Sequence, residues 1–345
     1  MNKNSKKEMY LIISSFLMGI IVMFLWMNQK QETIIMDQSS LSPAIEKIEK
    51  AVVEINSDGT IGSGFIYKKD SKYGYILTNE HVIKDKESIT VYFNNKSEEK
   101  GTLLGSDSYS DIAVIRVPKK NCKQVANITT SETSKVGDRI FVVGSPLGHS
   151  FQGTVTAGII SGKDRFVSFS KEDMDFEIGI KEIQIDAPIN QGNSGGPVVN
   201  AKGEVIGICS LKITDLEIEG MGFAIPIEEA MKLVERLEEG KEIVRPHLGI
   251  GMANIDDTAS LVNNNIDIMK EHKQGIIITK VEENSQADHA HLQKGDIILK
   301  VDEEDIQNTT HFRYELYKHE IGDTIHFVIE RNGSKKSISL KLEEK

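Results

Sequence analysis

The sequence predicts a mainly β chain of two domains behind an apolar N-terminal segment. Short apolar runs broken by turns fill residues 51–226, a pattern of barrels or sandwiches rather than of alternating strands and helices. A second, smaller set of such runs starts at Pro246. Ahead of both, Met9–Met27 contains no charged residue.

In chain order, residues 1–8 are a short tail carrying Lys3, Lys6 and Lys7. Residues 9–27, built mostly from Leu, Ile, Val, Phe and Met, are long enough to cross a hydrocarbon core as one helix. The lysines on the near side place the tail in the cytoplasm and the rest outside, and Trp26 suits an interfacial anchor. A cleaved signal peptide has a shorter apolar run and a small-residue cleavage site, whereas Asn28-Gln29-Lys30-Gln31-Glu32 is bulky and polar. The expectation is therefore an uncleaved single-pass anchor in the cytoplasmic membrane. Residues 28–42 have no period and read as a tether. Pro43–Lys50 suits a short helix with proline in its first turn.

Residues 43–237 form the first domain. Apolar runs at 52–55, 64–67, 75–77, 89–93, 112–115, 139–143, 183–185, 197–199 and 204–208 read as strands. A helix over 227–237 places Ala230, Leu233, Val234 and Leu237 on one face, and Gly240 stops it. Residues 238–245 are a linker, and residues 246–345 form the second domain.

Composition excludes several functions. A net charge of −11 offers no basic excess to displace counterions from nucleic acid. Two cysteines, Cys122 and Cys209, make no disulfide framework and have no metal-ligand spacing. Cys209 lies in an apolar run and reads as core, and a bridge to Cys122 is left open. His289 and His291 form the only close histidine pair and read as an exposed turn. No metal or cofactor site is expected, and no P-loop is present.

The chemistry concentrates at Gly192-Asn193-Ser194-Gly195-Gly196-Pro197. Glycines around a serine permit a sharp turn with positive φ and leave room for a substrate carbonyl. A serine hydroxyl needs a base within reach and donors aimed at the oxygen that becomes negative. The N–H groups of Gly192 and Ser194, across Asn193, are placed to form such an oxyanion hole. His81 follows the strand at 75–77, and Asp111 immediately precedes the strand at 112–115, with Asp107 and Glu80 as rival carboxylates. The order His, Asp, Ser is that of chymotrypsin, not of subtilisin or the α/β-hydrolases.

Thr78-Asn79-Glu80-His81-Val82, Asp111-Ile112-Ala113-Val114 and the serine loop together resemble the HtrA (DegP/DegS-like) serine proteases. Gly62-Ser63-Gly64-Phe65-Ile66, Gly144-Ser145-Pro146-Leu147-Gly148, Thr154–Ser161 and Gly222-Phe223-Ala224-Ile225-Pro226 match in register, so the resemblance covers nearly everything after residue 40. It implies a chymotrypsin-like pair of six-stranded barrels with His81, Asp111 and Ser194 as catalytic triad in the cleft. It also implies trimer formation through the segment near residue 43. A sensor loop is expected at Lys163–Lys181, and the short Lys68–Gly74 loop argues against a DegP-like cage. Pro188 stands six positions before the serine, where trypsin-like enzymes hold an acid, so cleavage after Lys or Arg is not expected. The substrate pocket is expected from Ile189, Asn190, Gln191, Ile208, Cys209 and Ser210, admitting small to medium aliphatic residues. The chain departs from the family at Pro188, usually alanine, and at Gln191, usually proline.

The second domain carries Leu248-Gly249-Ile250, Gly275-Ile276-Ile277-Ile278, Gly295-Asp296-Ile297-Ile298 and an Arg331-Asn332-Gly333 turn, and resembles a PDZ domain. The resemblance implies capture of C-terminal peptides by strand addition, with Leu248, Gly249 and Ile250 holding the carboxylate. The expected function is cleavage of unfolded, misfolded or regulatory proteins outside the membrane, in quality control and stress response. The alternative is a chaperone or peptide-binding scaffold with a mostly inactive triad. A secreted digestive protease fits poorly with the missing cleavage site and the second domain.

Overall fold

The computed structural model describes residues 40–146, 148–169, 178–210, 220–266 and 274–344, together with residues 18, 19 and 23. The anchor expected over residues 9–27 lies outside the described residues apart from those three. Among the described residues, no helix is long and apolar enough to cross a membrane. Residues 42–345 form one compact unit.

Helix α1 (Ser42–Ile48) opens this unit and buries Ala44 and Ile48. The first sheet contains β1 (Val52–Ser57), β2 (Thr60–Lys69), β3 (Tyr73–Thr78), β4 (Ile89–Phe93), β5 (Glu98–Lys100), β6 (Thr102–Asp107) and β7 (Ile112–Pro118). Its order is β5-β4-β1-β2-β3-β7-β6. Alternation drives it: in β4, Ile89, Val91 and Phe93 are buried while the residues between them are half-exposed. Val53, Ile55, Ile66, Ile76, Val91 and Ile115 meet in its core. One-turn helix α2 (Glu80–Ile83) follows β3 directly.

The second sheet contains β8 (Asn127–Ile128), β9 (Arg139–Gly144), β10 (Thr154–Phe169), β11 (Ile178–Ile185), β12 (Pro197–Asn200), β13 (Glu204–Ser210) and β14 (Gly222–Pro226). Its order is β12-β9-β10-β11-β14-β13-β8, and β12 also pairs with β13. That pairing closes six strands into a barrel, with two-residue β8 added in parallel outside the ring. The expected count of six therefore holds for the closed ring. In the first sheet, three-residue β5 extends the edge and makes seven.

Helix α3 (Ile227–Glu238) buries Ile227, Ala230, Val234 and Leu237, the spacing of one helical face. Leu233, expected on the same face, is only half-buried. The second domain contains β15 (Ile250–Asn254), α4 (Thr258–Asn263), β16 (Ile276–Val281), α5 (Gln286–His289) and β17 (Ile297–Val301). It continues with β18 (Glu304–Asp305), α6 (Thr309–Leu316), β19 (Thr324–Arg331) and β20 (Ser334–Lys341). The sheet runs β15-β16-β17-β19-β20, so β15 is an end strand.

The two domains pack through side chains that the sequence presents as loop residues. Tyr109 stands edge-on to Tyr317 at 5.0 Å, and both join Ile178 and Ile180 in one apolar cluster. Phe166 packs against Tyr314 of α6 at 5.8 Å. The segment expected as a sensor loop, Lys163–Lys181, thus has strand flanks that carry interface residues, while its middle, 170–177, lies outside the described residues.

Arg245 of the linker donates two bonds to Asp107, at 2.7 and 2.6 Å, and lies over the Tyr109 ring. Burial pushes the Asp107 carboxyl up, but the Arg245 guanidinium and the Ser110 donors outweigh it, so the group sits below the usual carboxylate range. A lowered folded-state value means stability that is present above the unfolded value, about 3.9, and lost as pH falls through the folded one. Replacing Arg245 with alanine strands a buried carboxylate and is expected to cost about 2–3 kcal/mol at pH 7. Urea unfolding at pH 7 and pH 3 checks this, since the deficit should shrink on the acid side once Asp107 is protonated.

Candidate active site

His81 and Ser194, which follow strands of different sheets, line one cavity. Asp111 is fully buried, with φ at +59°, a left-handed conformation that aspartate tolerates better than most residues. Its backbone carbonyl accepts from the Asn79 side chain at 2.9 Å and from the Glu80 N–H at 3.1 Å. The carboxylate Oδ1 takes the His81 backbone N–H at 3.0 Å, and Oδ2 stands 2.8 Å from His81 Nδ1. A carboxylate only accepts, so Nδ1 carries the proton and Nε2 is left with a free lone pair. The rival carboxylates are engaged elsewhere: Asp107 holds Arg245, and Glu80 accepts from the Ser108 hydroxyl at 2.8 Å.

Ser194 is nearly buried and lines one cavity with His81, Gly192 and Gln191. Asn190, Gln191, Gly192 and Asn193 make a tight turn, with the Asn193 N–H donating to the Asn190 carbonyl at 2.9 Å and Gly192 at φ +100°. Positive φ at the third residue is what a type II turn requires. A Cβ at Gly192 would lie 2.3 Å from the Ser145 carbonyl oxygen, so only glycine fits. Among the described residues, the N–H groups of Gly192 and Ser194 have no hydrogen-bond partner, whereas that of Asn193 is spent on the turn. Two of the three residues expected at the oxyanion hole thus offer free donors.

Ser63 is the residue that sequence reasoning passed over. Its N–H donates to the Ser194 carbonyl at 2.8 Å. Its hydroxyl donates to the Gly192 carbonyl at 2.6 Å and accepts the Ser145 N–H at 2.9 Å. The Thr78 hydroxyl donates to its carbonyl at 2.7 Å. One fully buried serine on β2 therefore ties the first sheet to both loops that shape the second. The only signal was its place between Gly62 and Gly64. Ser63→Ala leaves two buried backbone groups short of a partner, and is expected to lower kcat/KM roughly 10- to 100-fold. Kinetics alongside a thermal midpoint check it.

The expected substrate pocket is brought together only in part. Asn190 and Gln191 are exposed and belong to the turn. Ile189 packs against the second core, and Cys209 lies within it, fully buried. Cys209 meets the serine loop through its backbone: its carbonyl accepts from Gly195 and its N–H donates to Gly196. Ile208 is likewise fully buried, and Ser210 nearly so. Cys122 and Cys209 are free thiols. Among the described residues, no cluster of His, Cys, Asp and Glu is placed to hold a metal.

In the second domain, Gly249 has φ +75°, and a Cβ there would strike Ser285. Leu248 is buried in the core, its carbonyl accepting from Ala287. Ile250 starts end strand β15 opposite Val281. Helix α6 begins beside the far end of that strand, where the Thr309 N–H donates to the Asn254 side chain at 2.8 Å.

Comparison with known proteins agrees with this geometry. Residues 62–208 match the family described as trypsin-like peptidase domain, and residues 246–342 match the PDZ domain. The chain is 34% identical over 330 residues to serine protease Do-like HtrB of Bacillus subtilis, covering 89% of this chain and 72% of that protein. It is 39% identical over 292 residues to serine protease HtrA-like of Staphylococcus haemolyticus, covering 84% of this chain but only 46% of the relative. The chain thus spans less than half the length of the staphylococcal relatives it matches. Among solved structures, a serine endoprotease from Yersinia pestis shares 32% identity at a TM-score of 0.67, covering 89% of this chain and 98% of its own. The HtrA-type protease AlgW with decapeptide shares 25% identity at 0.70, covering 89% and 99%.

Proposed function

Since the chain belongs to the HtrA family of trypsin-like serine proteases, we propose that it is an ATP-independent serine endoprotease. The observation that carries this is buried Asp111 paired with half-exposed His81, which lines the same cavity as Ser194.

In this reading Nε2 of His81 takes the proton of the Ser194 hydroxyl as that oxygen attacks a peptide carbonyl, and later passes it to the leaving amine. Asp111 holds the imidazole in the productive tautomer and stabilises the imidazolium between those two transfers. The N–H groups of Gly192 and Ser194 receive the negative oxygen of the tetrahedral intermediate. Water then repeats the cycle on the acyl-enzyme.

The finer reading places the enzyme on the outer face of the cytoplasmic membrane, held by residues 9–27. The charge-free run and the preceding lysines support it. Its substrates are unfolded, misfolded or regulatory proteins, in quality control and stress response. C-terminal peptides add to β15 near Leu248, Gly249 and Ile250, the strand that ends its sheet. Protomers assemble as trimers through the segment around α1.

The test is incubation of the chain from residue 40 onward with an unfolded protein and, separately, with a fluorophosphonate probe. Cleavage together with labelling mapped to Ser194 is the expected result. Neither cleavage nor labelling, with or without apolar C-terminal peptides, would overturn the reading.

A further inference from the structure

The cavity at the active site is larger than the catalytic groups need. It holds about 320 Å³ and is lined by Thr60, Ile61, His81, Val82, Gln191, Gly192 and Ser194. Its position relative to the reaction follows from the proton path. His81 hands its proton to the leaving amine, so the residue that carries that amine sits on the His81 side of Ser194. Val82, Ile61 and Thr60 line the cavity together with His81, whereas Ile189 and Ser210 do not. That membership assigns the cavity to the leaving-group side.

These walls are fixed by close backbone approach. A Cβ at Gly62 would lie 2.5 Å from Val82 Cγ1, so the bare strand lets Val82 press onto it. A Cβ at Gly148 would lie 2.9 Å from Ile61 Cδ1, and Gly148 has φ +88°, so the opposite loop supports Ile61 only because that position is glycine. Ile61 is paired with Asn56 in the β1–β2 hairpin. Asp58, at the hairpin tip, turns its carboxylate onto the N–H groups of Glu87 and Ser88, at 2.8 and 3.3 Å. Among the described residues, His81 is the one ionisable side chain in the lining.

We infer that Thr60, Ile61 and Val82 form a neutral, apolar subsite for the side chain directly after the scissile bond, and that Ile61 sets the preference for Leu, Ile, Met or Phe there. This rests on the protease reading above. A charged side chain entering this space loses hydration and meets no partner. A branched aliphatic one gains contact with Ile61 and Val82. Pockets of this kind discriminate by factors of ten to a few hundred.

The test uses peptides with one fixed acyl-side sequence and Leu, Asp or Lys after the scissile bond. The native chain is expected to show kcat/KM at least roughly tenfold higher for Leu than for Asp or Lys. In Ile61→Lys, the Leu-to-Asp ratio is expected to fall tenfold or more, because the new ammonium pairs with Asp. Thr60→Lys, on the same wall, should shift the ratio in the same direction and serves if Ile61→Lys does not fold. Equal cleavage of the three peptides by the native chain overturns the subsite and leaves the protease reading standing. An unchanged ratio in both folded variants also overturns it. A chain that cleaves no peptide and takes no fluorophosphonate overturns the protease reading and this inference with it.

Discussion

Replacing Ser194 with alanine is expected to lower kcat roughly 10⁶-fold on any peptide the native chain cleaves, and to abolish fluorophosphonate labelling. The size follows from the site acting as a unit. Without the hydroxyl there is no proton for His81 to take and no acyl-enzyme, so the imidazole and Asp111 lose their purpose together. Residual turnover over water would come from the Gly192 and Ser194 N–H groups, which an alanine at 194 retains. The fold should be preserved. Ser194 enters the loop network through its backbone carbonyl, which accepts from Ser63, and that bond does not involve the hydroxyl. Equal thermal midpoints with lost cleavage are the expected outcome. A variant that still cleaves would point to contamination or to a different nucleophile.

Asp111→Asn is expected to lower kcat roughly 10⁴-fold with little effect on KM. Asparagine is nearly isosteric and tolerates the +59° φ of this position, so the bonds from Asn79 and Glu80 to the backbone carbonyl remain. The His81 backbone N–H keeps its acceptor if the amide oxygen turns toward it. The amide nitrogen then faces Nδ1 and can only donate, so Nδ1 becomes the acceptor and the proton moves to Nε2. Nε2 no longer has a lone pair for the serine proton. Alanine at 111 is a poorer probe, because it adds backbone strain at positive φ to the loss of the carboxylate. Imidazole NMR of His81 in the variant checks the tautomer, and steady-state kinetics check the rate.

The site was legible where its chemistry is local. The serine loop had to contain glycines at 192 and 195, because both take positive φ and abut backbone, so the string announces the turn. The choice between Asp107 and Asp111 was harder, since both precede the same strand. What separates them is distant: Arg245 claims one, His81 the other. Barrel closure through β12 and β13 also lies beyond any local pattern, because it depends on residues meeting across the whole domain. Ser63 was visible only as a small residue between glycines, and its four bonds come from three separate segments. Phe166, Ile178 and Ile180 flank a run of charges that reads as solvated. Their apolar partners, Tyr109 and residues of α6, lie far along the chain. Cys209 reads as core and is fully buried, so its thiol is no wall for substrate; the backbone at that position approaches the serine loop instead.

An unpaired strand edge recruits other strands, and extended chains most readily. Here the edges are blunted one by one. Closure of the second barrel removes both ends of its ring. In the first sheet, β5 is only Glu98-Glu99-Lys100, and β6 lies under α3, with Gly105 pressed against the Leu237 backbone. At the far end of the PDZ sheet, β20 carries Lys335, Lys336 and Lys341. Among the described end strands longer than two residues, Ile250–Asn254 is the exception: β15 holds no charge. Of the described end strands longer than two residues, β15 is thus the one left without a charge to discourage pairing, and it is the edge on which the proposed peptide addition falls.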